Sequence, residues 1–452
     1  MSLTPRDIIG QLARGGGLSI VIKIANGILA YAMLLIVARV TTAEQYGVLA
    51  IVFSIAMSAS FAAALGQPWA VNRFWPQWMV QDAPMKARAF LRLSILTTTT
   101  GMAIAFALML LIGALGQLAG SPWSFATCAA AGLFTLALGW AEFAAAGLRA
   151  QGHIVFSLFP RDIAWRLAIC GFFGLGVLSG QDYRADYVVL VMSGVLILMI
   201  SPQVFILVRS SLGARGVRLS YQDRKVITRY SVVNWLATIA DLAKNYAGVL
   251  IVSAYLGAES AGAYFAAERT ANMLLFVLLA INLVAMPQIS RYFHSGRGDL
   301  VRLIIGYCGL AAGLTALAGL LLFFLLGAKI LAFFNPVYEE YLPILLILCL
   351  GQFLLAAAGP VGPLLKMSGH EQIDLVVIVA TGFASVVLQA LAGLYWGAMG
   401  VAIAAAAGNA ATGVISVAFA RRKLGMDPTM LALPLQFFCG IARTLSRRDA
   451  RR

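Results

Sequence analysis

Twelve runs of about 20 apolar residues follow one another along this chain, each long enough to cross the hydrocarbon core of a bilayer. In lipid every backbone N–H and C=O must find a partner inside the protein, which only helices and closed barrels achieve. Barrel strands would alternate polar and apolar residues, and these runs do not. The sequence therefore predicts an all-α polytopic membrane protein. Its spans fall near 18–38, 48–66, 93–115, 124–147, 155–178 and 187–208, then 232–256, 262–289, 303–327, 342–365, 374–395 and 398–420. Composition agrees, with 61% hydrophobic and 11% charged residues among 452.

Charge sets the orientation. With both termini cytoplasmic, the inner segments gather most of the 33 Lys and Arg, Arg161 at the start of the fifth span counted among them. The outer loops hold three (Arg39, Arg184 and Lys329), and four sit within spans (Lys23, Arg166, Lys244 and Arg269). That bias is the positive-inside pattern, and shifting the count by one span would scramble it. The net charge of +15 then belongs to the cytoplasmic face and its anionic lipids, not to nucleic acid, because basic residues are spread over every inner loop. The five cysteines lie in apolar stretches without paired spacing, so neither a disulfide nor a metal site is expected.

The longest and most basic connection, "RSSLGARGVRLSYQDRKVITRY" at 209–230, divides the chain into a first lobe, 1–208, and a second, 231–422. Residues 423–452 follow as an interfacial helix, "TMLALPLQFFCGIARTL" at 429–445, and a basic tail. Short phrases recur between the lobes. "LRAQGH" at 148–153 returns as "LKMSGH" at 365–370, "AEQYG" at 43–47 as "AESAG" at 258–262, and "PWAVNRFW" at 68–75 as "PQISRYF" at 287–293. Three echoes in one order and at nearly one offset predict an internal duplication. An even number of spans per lobe keeps both copies in the same orientation, related by a pseudo-two-fold axis along the membrane normal.

Three stretches carry a family resemblance: "VARVTTAEQYGVLA", "GAYFAAERTANMLLFVLLAINLVAMPQISRY" and "NPVYEEYLPILLILCLGQFLLAAAGPVGPLLKMSGHE". They resemble the oligosaccharide flippases of polysaccharide export, in the multidrug/oligosaccharidyl-lipid/polysaccharide exporter superfamily, over residues 10–425. The resemblance implies a MATE-like V of two six-helix lobes around a cavity lined by spans one and seven. It implies a bacterial inner-membrane transporter that turns an undecaprenyl-diphosphate-linked oligosaccharide from the cytoplasmic to the periplasmic leaflet for O-antigen, capsule or exopolysaccharide synthesis. A polysaccharide polymerase and a chain-length regulator are the implied protein partners, and a monomer the expected state.

Eight ionisable residues within spans are the candidate site, since each is costly at the bilayer centre. Lys23, Arg166, Lys244 and Arg269 are the candidates for binding the diphosphate through charge-assisted hydrogen bonds. Glu142, Asp162, Asp241 and Glu268 would balance them or carry a coupling proton or sodium ion; no other cofactor is expected. Asp162–Arg166 and Asp241–Lys244 are spaced to pair along one helix face, whereas adjacent Glu268 and Arg269 should point apart. Lys23 and Glu142 lie near enough to the inner surface to reach it. Asn26, Asn234, Asn245, Asn272 and Asn282 suit sugar hydroxyls and interhelical bonds alike. "GPVGP" at 359–363 breaks span ten, as a hinge or as a packed kink. Among rivals, a drug or organic-cation antiporter shares the span count but should prefer an acidic or apolar cavity. A glycan polymerase or ligase would need a sizeable outer loop, and none is long, so an enzyme is not expected. The phosphate-loop pattern of an ATPase is absent.

Overall fold

The computed structural model describes residues 25–118, 123–214, 217 and 219–432, with backbone only for Ala214, Val277, Leu283, Val284 and Pro287. Among them there are helices and turns and no strand. The helices are α1 Ala25–Arg39, α2 Ala43–Ala63, α3 Gln67–Val80, α4 Pro84–Leu118, α5 Phe125–Ala150, α6 Ile154–Phe159, α7 Trp165–Ser179 and α8 Ala185–Ser211. After these come α9 Tyr221–Asn272, α10 Leu275–His294, α11 Gly298–Phe334, α12 Leu342–Ala357, α13 Val361–Met367 and α14 Glu371–Leu424.

Each expected span, the first from Ala25 on, coincides with helix, spans five, eight and ten each across two successive helices, although two connections differ from a loop. Gly257 (φ 85°) interrupts α9, and Gly397 (φ 57°) interrupts α14. At each, a single glycine in the left-handed region folds a helix back on itself, a conformation that a Cβ would strain. The halves of α14 then pack antiparallel, with Thr412 Oγ1 donating to Thr381 Oγ1 at 2.9 Å and Gly408 seated on Ser385. In α9, Gly248 lies under the Tyr264 ring in the same way.

Side-chain caps fix other helix starts. Thr42 Oγ1 accepts from Gln45 N (3.3 Å) to begin α2, and Ser124 Oγ accepts from Thr127 N (3.1 Å) to begin α5. Small residues then set how closely helices approach. Ala130, Ala137, Ala141, Ala144, Ala145 and Ala146 of α5 have no exposed surface. Gly139 receives Met102, and Gly101 of α4 leaves room for the carbonyl of Ala63.

The chain forms two compact units, one of residues up to Phe265 together with Phe333–Asn335, the other of Ala266–Ala332 and Pro336–Arg452. Residues 231–265 thus pack with the first unit. The duplication has local counterparts in both. Gly152 (φ 89°) and Gly369 (φ 80°) end helices in the same way, His153 N donating to Leu148 O (2.9 Å) and His370 N to Leu365 O (2.8 Å). This is the Schellman closure, in which a left-handed residue lets the chain turn and cap the last carbonyls. Asp82 and Gly296, both left-handed, repeat it with Ala83 N to Trp78 O (2.9 Å) and Arg297 N to Tyr292 O (3.0 Å). Gly180 and Gly397, at the ends of the fifth and eleventh expected spans, share only the positive φ. The echoed "AEQYG" and "AESAG" even meet, since a Cβ on Gly47 would strike the carbonyl of Ala258.

Much of the 209–230 connection is helical. Ser220 and Asp223 cap α9 reciprocally, Asp223 N donating to Ser220 Oγ at 3.1 Å and Ser220 Oγ to Asp223 Oδ2 at 2.6 Å. Asp223 also pairs with Lys86 Nζ at 2.7 Å, and that ammonium lies 5.1 Å from the centre of the Trp78 ring. Burial works to raise the Asp223 carboxyl, but hydrogen bonds from Lys86 and Ser220 outweigh it and hold the group below its ordinary 3.8. A lowered carboxylate contributes stability above its unfolded value and loses it as pH falls through the folded one. Thermal unfolding of the protein should therefore become more acid-sensitive than that of Asp223→Asn below about pH 4, by about 0.5 kcal/mol for so exposed a pair. Identical acid profiles would mean that the pair contributes nothing.

Candidate functional site

The first unit gathers its buried charges around the start of the fifth span. Between α6 and α7 the helix widens to a π-turn at Pro160–Ala164, because Pro160 has no N–H to donate to the preceding turn. Such bulges are frequent at functional sites. The turn aims two neighbouring residues into the protein. Asp162 is 1% exposed, and Arg161 Nε donates to its Oδ1 at 2.9 Å. The other arm of Arg161 pairs with Glu142 of α5, which also has Arg149 at 3.9 Å. Arg166 lies 3.9 Å from Asp162 Oδ1. It donates to Asp162 O (2.9 Å), to Arg161 O (3.2 Å) and to the side-chain oxygen of Asn26 in α1.

This is one ionic network, not a set of isolated pairs. Of the expected residues it joins Glu142, Asp162 and Arg166, with the amide of Asn26. Glu142 does not reach for the inner surface, as its sequence position suggested; it is held by Arg161. Arg161 is the hub, although its place near the end of the span assigned it to the inner segments. The described members, Glu142, Asp162, Arg149, Arg161 and Arg166, carry one more cation than carboxylate. Arg166 Nε is buried and has no acceptor among the described residues. An arginine held rigidly, with a donor to spare and net positive surroundings, is suited to a phosphate or another anion.

The expected Asp241–Lys244 pair is not formed. Asp241 is exposed and accepts from Asn245 Nδ2 at 3.4 Å. At 100° per residue, a neighbour four positions on lies 40° around the helix, and one three positions on lies 60° the other way. The short aspartate side chain takes the nearer partner. Lys244 is half-buried, and among the described residues it has neither an ion pair nor a hydrogen bond. Lys23 lies outside the described residues.

In the second unit the prediction that Glu268 and Arg269 point apart is also corrected. Their charged ends come within 3.6 Å, because the long arginine side chain spans the 100° between adjacent helical positions. Glu268 is 9% exposed, and its Oε2 is buried without a hydrogen bond. One helical turn on, Asn272 accepts from Gln352 Nε2 of α12, and the Gln352 Oε1 is buried without a donor. Gln352 was not foreseen; a glutamine alone in "LLILCLGQFLL" was the available signal. Elsewhere in this unit Lys366 Nζ pairs with Asp374 at 3.3 Å across the Gly369 turn. Among the described residues no cluster has the composition of a metal site.

No family model matches the chain, and no curated protein does. Solved structures do match. One is the inward-facing conformation of a multidrug resistance MATE family transporter of the MOP superfamily, with TM-score 0.69 and 14% identity over 90% of this chain and 98% of that one. Its outward-facing counterpart gives 0.59 and 14%, over 90% and 94%. A substituted form of the Vibrio cholerae MATE transporter VcmN gives 0.53 and 14%, over 92% and 98%. Identity this low speaks for the fold alone. Together with nine helices among the described residues long and apolar enough to cross a bilayer, it establishes a multi-pass membrane protein of MATE-like fold.

Proposed function

We propose that this protein is a transporter, not an enzyme, and that it flips a polyprenyl-diphosphate-linked oligosaccharide from the cytoplasmic to the periplasmic leaflet of a bacterial inner membrane for surface polysaccharide synthesis. Its lobes would be 1–208 and 231–422, with both termini cytoplasmic. The observation that carries the reading is the network at the π-turn, with its surplus cation and the unaccepted Nε–H of Arg166. Arg161 and Asp162 hold Arg166 in position, so its donors are set before the cargo arrives, and little ordering is left to offset on binding. Lys244 adds a mobile point charge, and Asn26, Asn234 and Asn245 offer amides to sugar hydroxyls. Glu142 and Asp162 keep the arginines of the empty site tolerable in a low dielectric.

One observation favours a second reading, a drug or organic-cation antiporter. Glu268 keeps a buried carboxylate oxygen with no hydrogen bond, which would suit a cation or a coupling proton, and two of the matched structures are described as multidrug resistance transporters. Reconstitution separates the two. Proteoliposomes holding the full chain should move a short-chain prenyl-diphosphate oligosaccharide out of reach of an impermeant lectin and leave ethidium gradients unchanged. Ethidium transport without lipid flipping would reverse the assignment.

A further inference from the structure

After α14 the chain has no regular structure from Gly425 to Pro428, turns at 429–431 and enters helix at Ala432; residues 433–452, most of the expected interfacial helix and its tail, lie outside the described residues. Gly425–Ala432 runs along α11 and into the break between α12 and α13. Arg302 Nη2 donates to Gly425 O at 3.3 Å, Pro428 O lies where a Cβ on Gly309 would be, and Met430 Cβ is 2.7 Å from the Cβ position of Gly313. From Arg302 to Gly313 is roughly 16 Å along a helix, so the segment follows the span expected at 303–327 to a depth of about ten residues. Irregular backbone is tolerated at that depth only when protein covers its polar groups.

What covers it is the break of span ten. Pro360 has no N–H, Gly359 is left-handed (φ 72°), and Val361 N turns back to Gly359 O at 2.8 Å instead of reaching Ala357. The carbonyl of Ala357 is thereby released from the helix, and Met430 N donates to it at 2.9 Å. Gly359 and Gly309 bring backbone to backbone around Pro428 O. Asp427 fixes the entry to this path, taking Arg421 Nη2 at 2.7 Å and Thr429 N at 3.0 Å. Met426 is buried among Ala358, Val361 and Leu364.

We propose that residues 425–432 form a strap that locks the break in span ten, and that the strap must leave the carbonyl of Ala357 for the break to bend during transport. The transport clause rests on the transporter reading; the lock itself does not. Two variants of the full chain test them. Gly309→Ala favours helix in α11 but places a methyl group where Pro428 O lies, which evicts the strap. Amide exchange at Leu364 and Leu365 should then rise about tenfold, as for one lost buried hydrogen bond. Unchanged exchange would overturn the lock. The second variant pairs Gly313→Cys with Met430→Cys after the native cysteines are replaced; a shift of about 1 Å brings the pair into disulfide range. Oxidised in proteoliposomes, it should flip lipid-linked oligosaccharide at least tenfold more slowly than the same sample after reduction. Equal rates before and after reduction would show that the strap never opens in the cycle. If the unsubstituted chain flips no such lipid, the functional reading falls, and the exchange result still decides the lock.

Discussion

Arg161→Ala is expected to cost about 3–5 kcal/mol of stability, the usual consequence of removing one member of a buried ionic network. Its guanidinium contacts both Glu142 and Asp162, so truncation leaves two carboxylates facing each other with little water. Arg161→Lys should recover only part of the loss, because an ammonium lacks the planar fork that reaches two carboxylates at once. Removing the charges together, as Glu142→Gln, Arg161→Met and Asp162→Asn, should restore only part of it, since no carboxylate is then left facing another but Arg149 and Arg166 lose the carboxylates beside them. Thermal unfolding of the purified protein in detergent, read by tryptophan fluorescence, measures all three. A single variant within about 0.5 kcal/mol of the parent would place Arg161 in a solvated setting and dissolve the network.

The helices were legible because lipid leaves the backbone few options, and a run of about 20 apolar residues states its own structure. The glycines at 152, 369 and 397 were equally readable as points where the chain must turn with positive φ. The network was not read, although part of it was within reach. A helical hairpin turning at Gly152 places residues equidistant from the turn at one depth, and 142 and 162 are both ten positions away. That rule pairs Glu142 with the Arg161–Asp162 level from the sequence alone. Assigning Arg161 to the inner surface hid it, because position near a span end says nothing about which way a π-turn will aim the side chain. The Asp241–Lys244 and Glu268–Arg269 readings failed for a related reason. Spacing along a helix gives the angle between Cβ atoms, while side-chain length decides who meets. The strap had no local signal at all. It depends on two glycines of α11, a third in the break between α12 and α13, and a carbonyl freed by Pro360, which only the packed unit brings together.

Lys244→Gln should slow flipping of the lipid-linked oligosaccharide by about 10- to 100-fold, the value of one charge-assisted hydrogen bond, and leave thermal stability unchanged or slightly raised. The stability half follows from the absence of an ion-pair partner among the described residues. A half-buried ammonium that feels Asp241 only from beyond ion-pair distance is a cost to the empty protein, so its removal breaks no ion pair, unlike removal of Arg161. The transport half follows from the cargo, whose diphosphate would supply the counter-charge that the protein withholds. Asp241→Asn is the control. Asp241 bonds to Asn245 and not to Lys244, so this change should alter neither flipping nor stability by much, and the double variant should behave as Lys244→Gln alone. Flipping at the parent rate by a well-folded Lys244→Gln protein would show that the lysine does not meet the diphosphate, and the role would pass to Arg166. A loss of stability in place of a loss of flipping would mean that Lys244 has a structural partner, and its part in binding cargo would fall with that result.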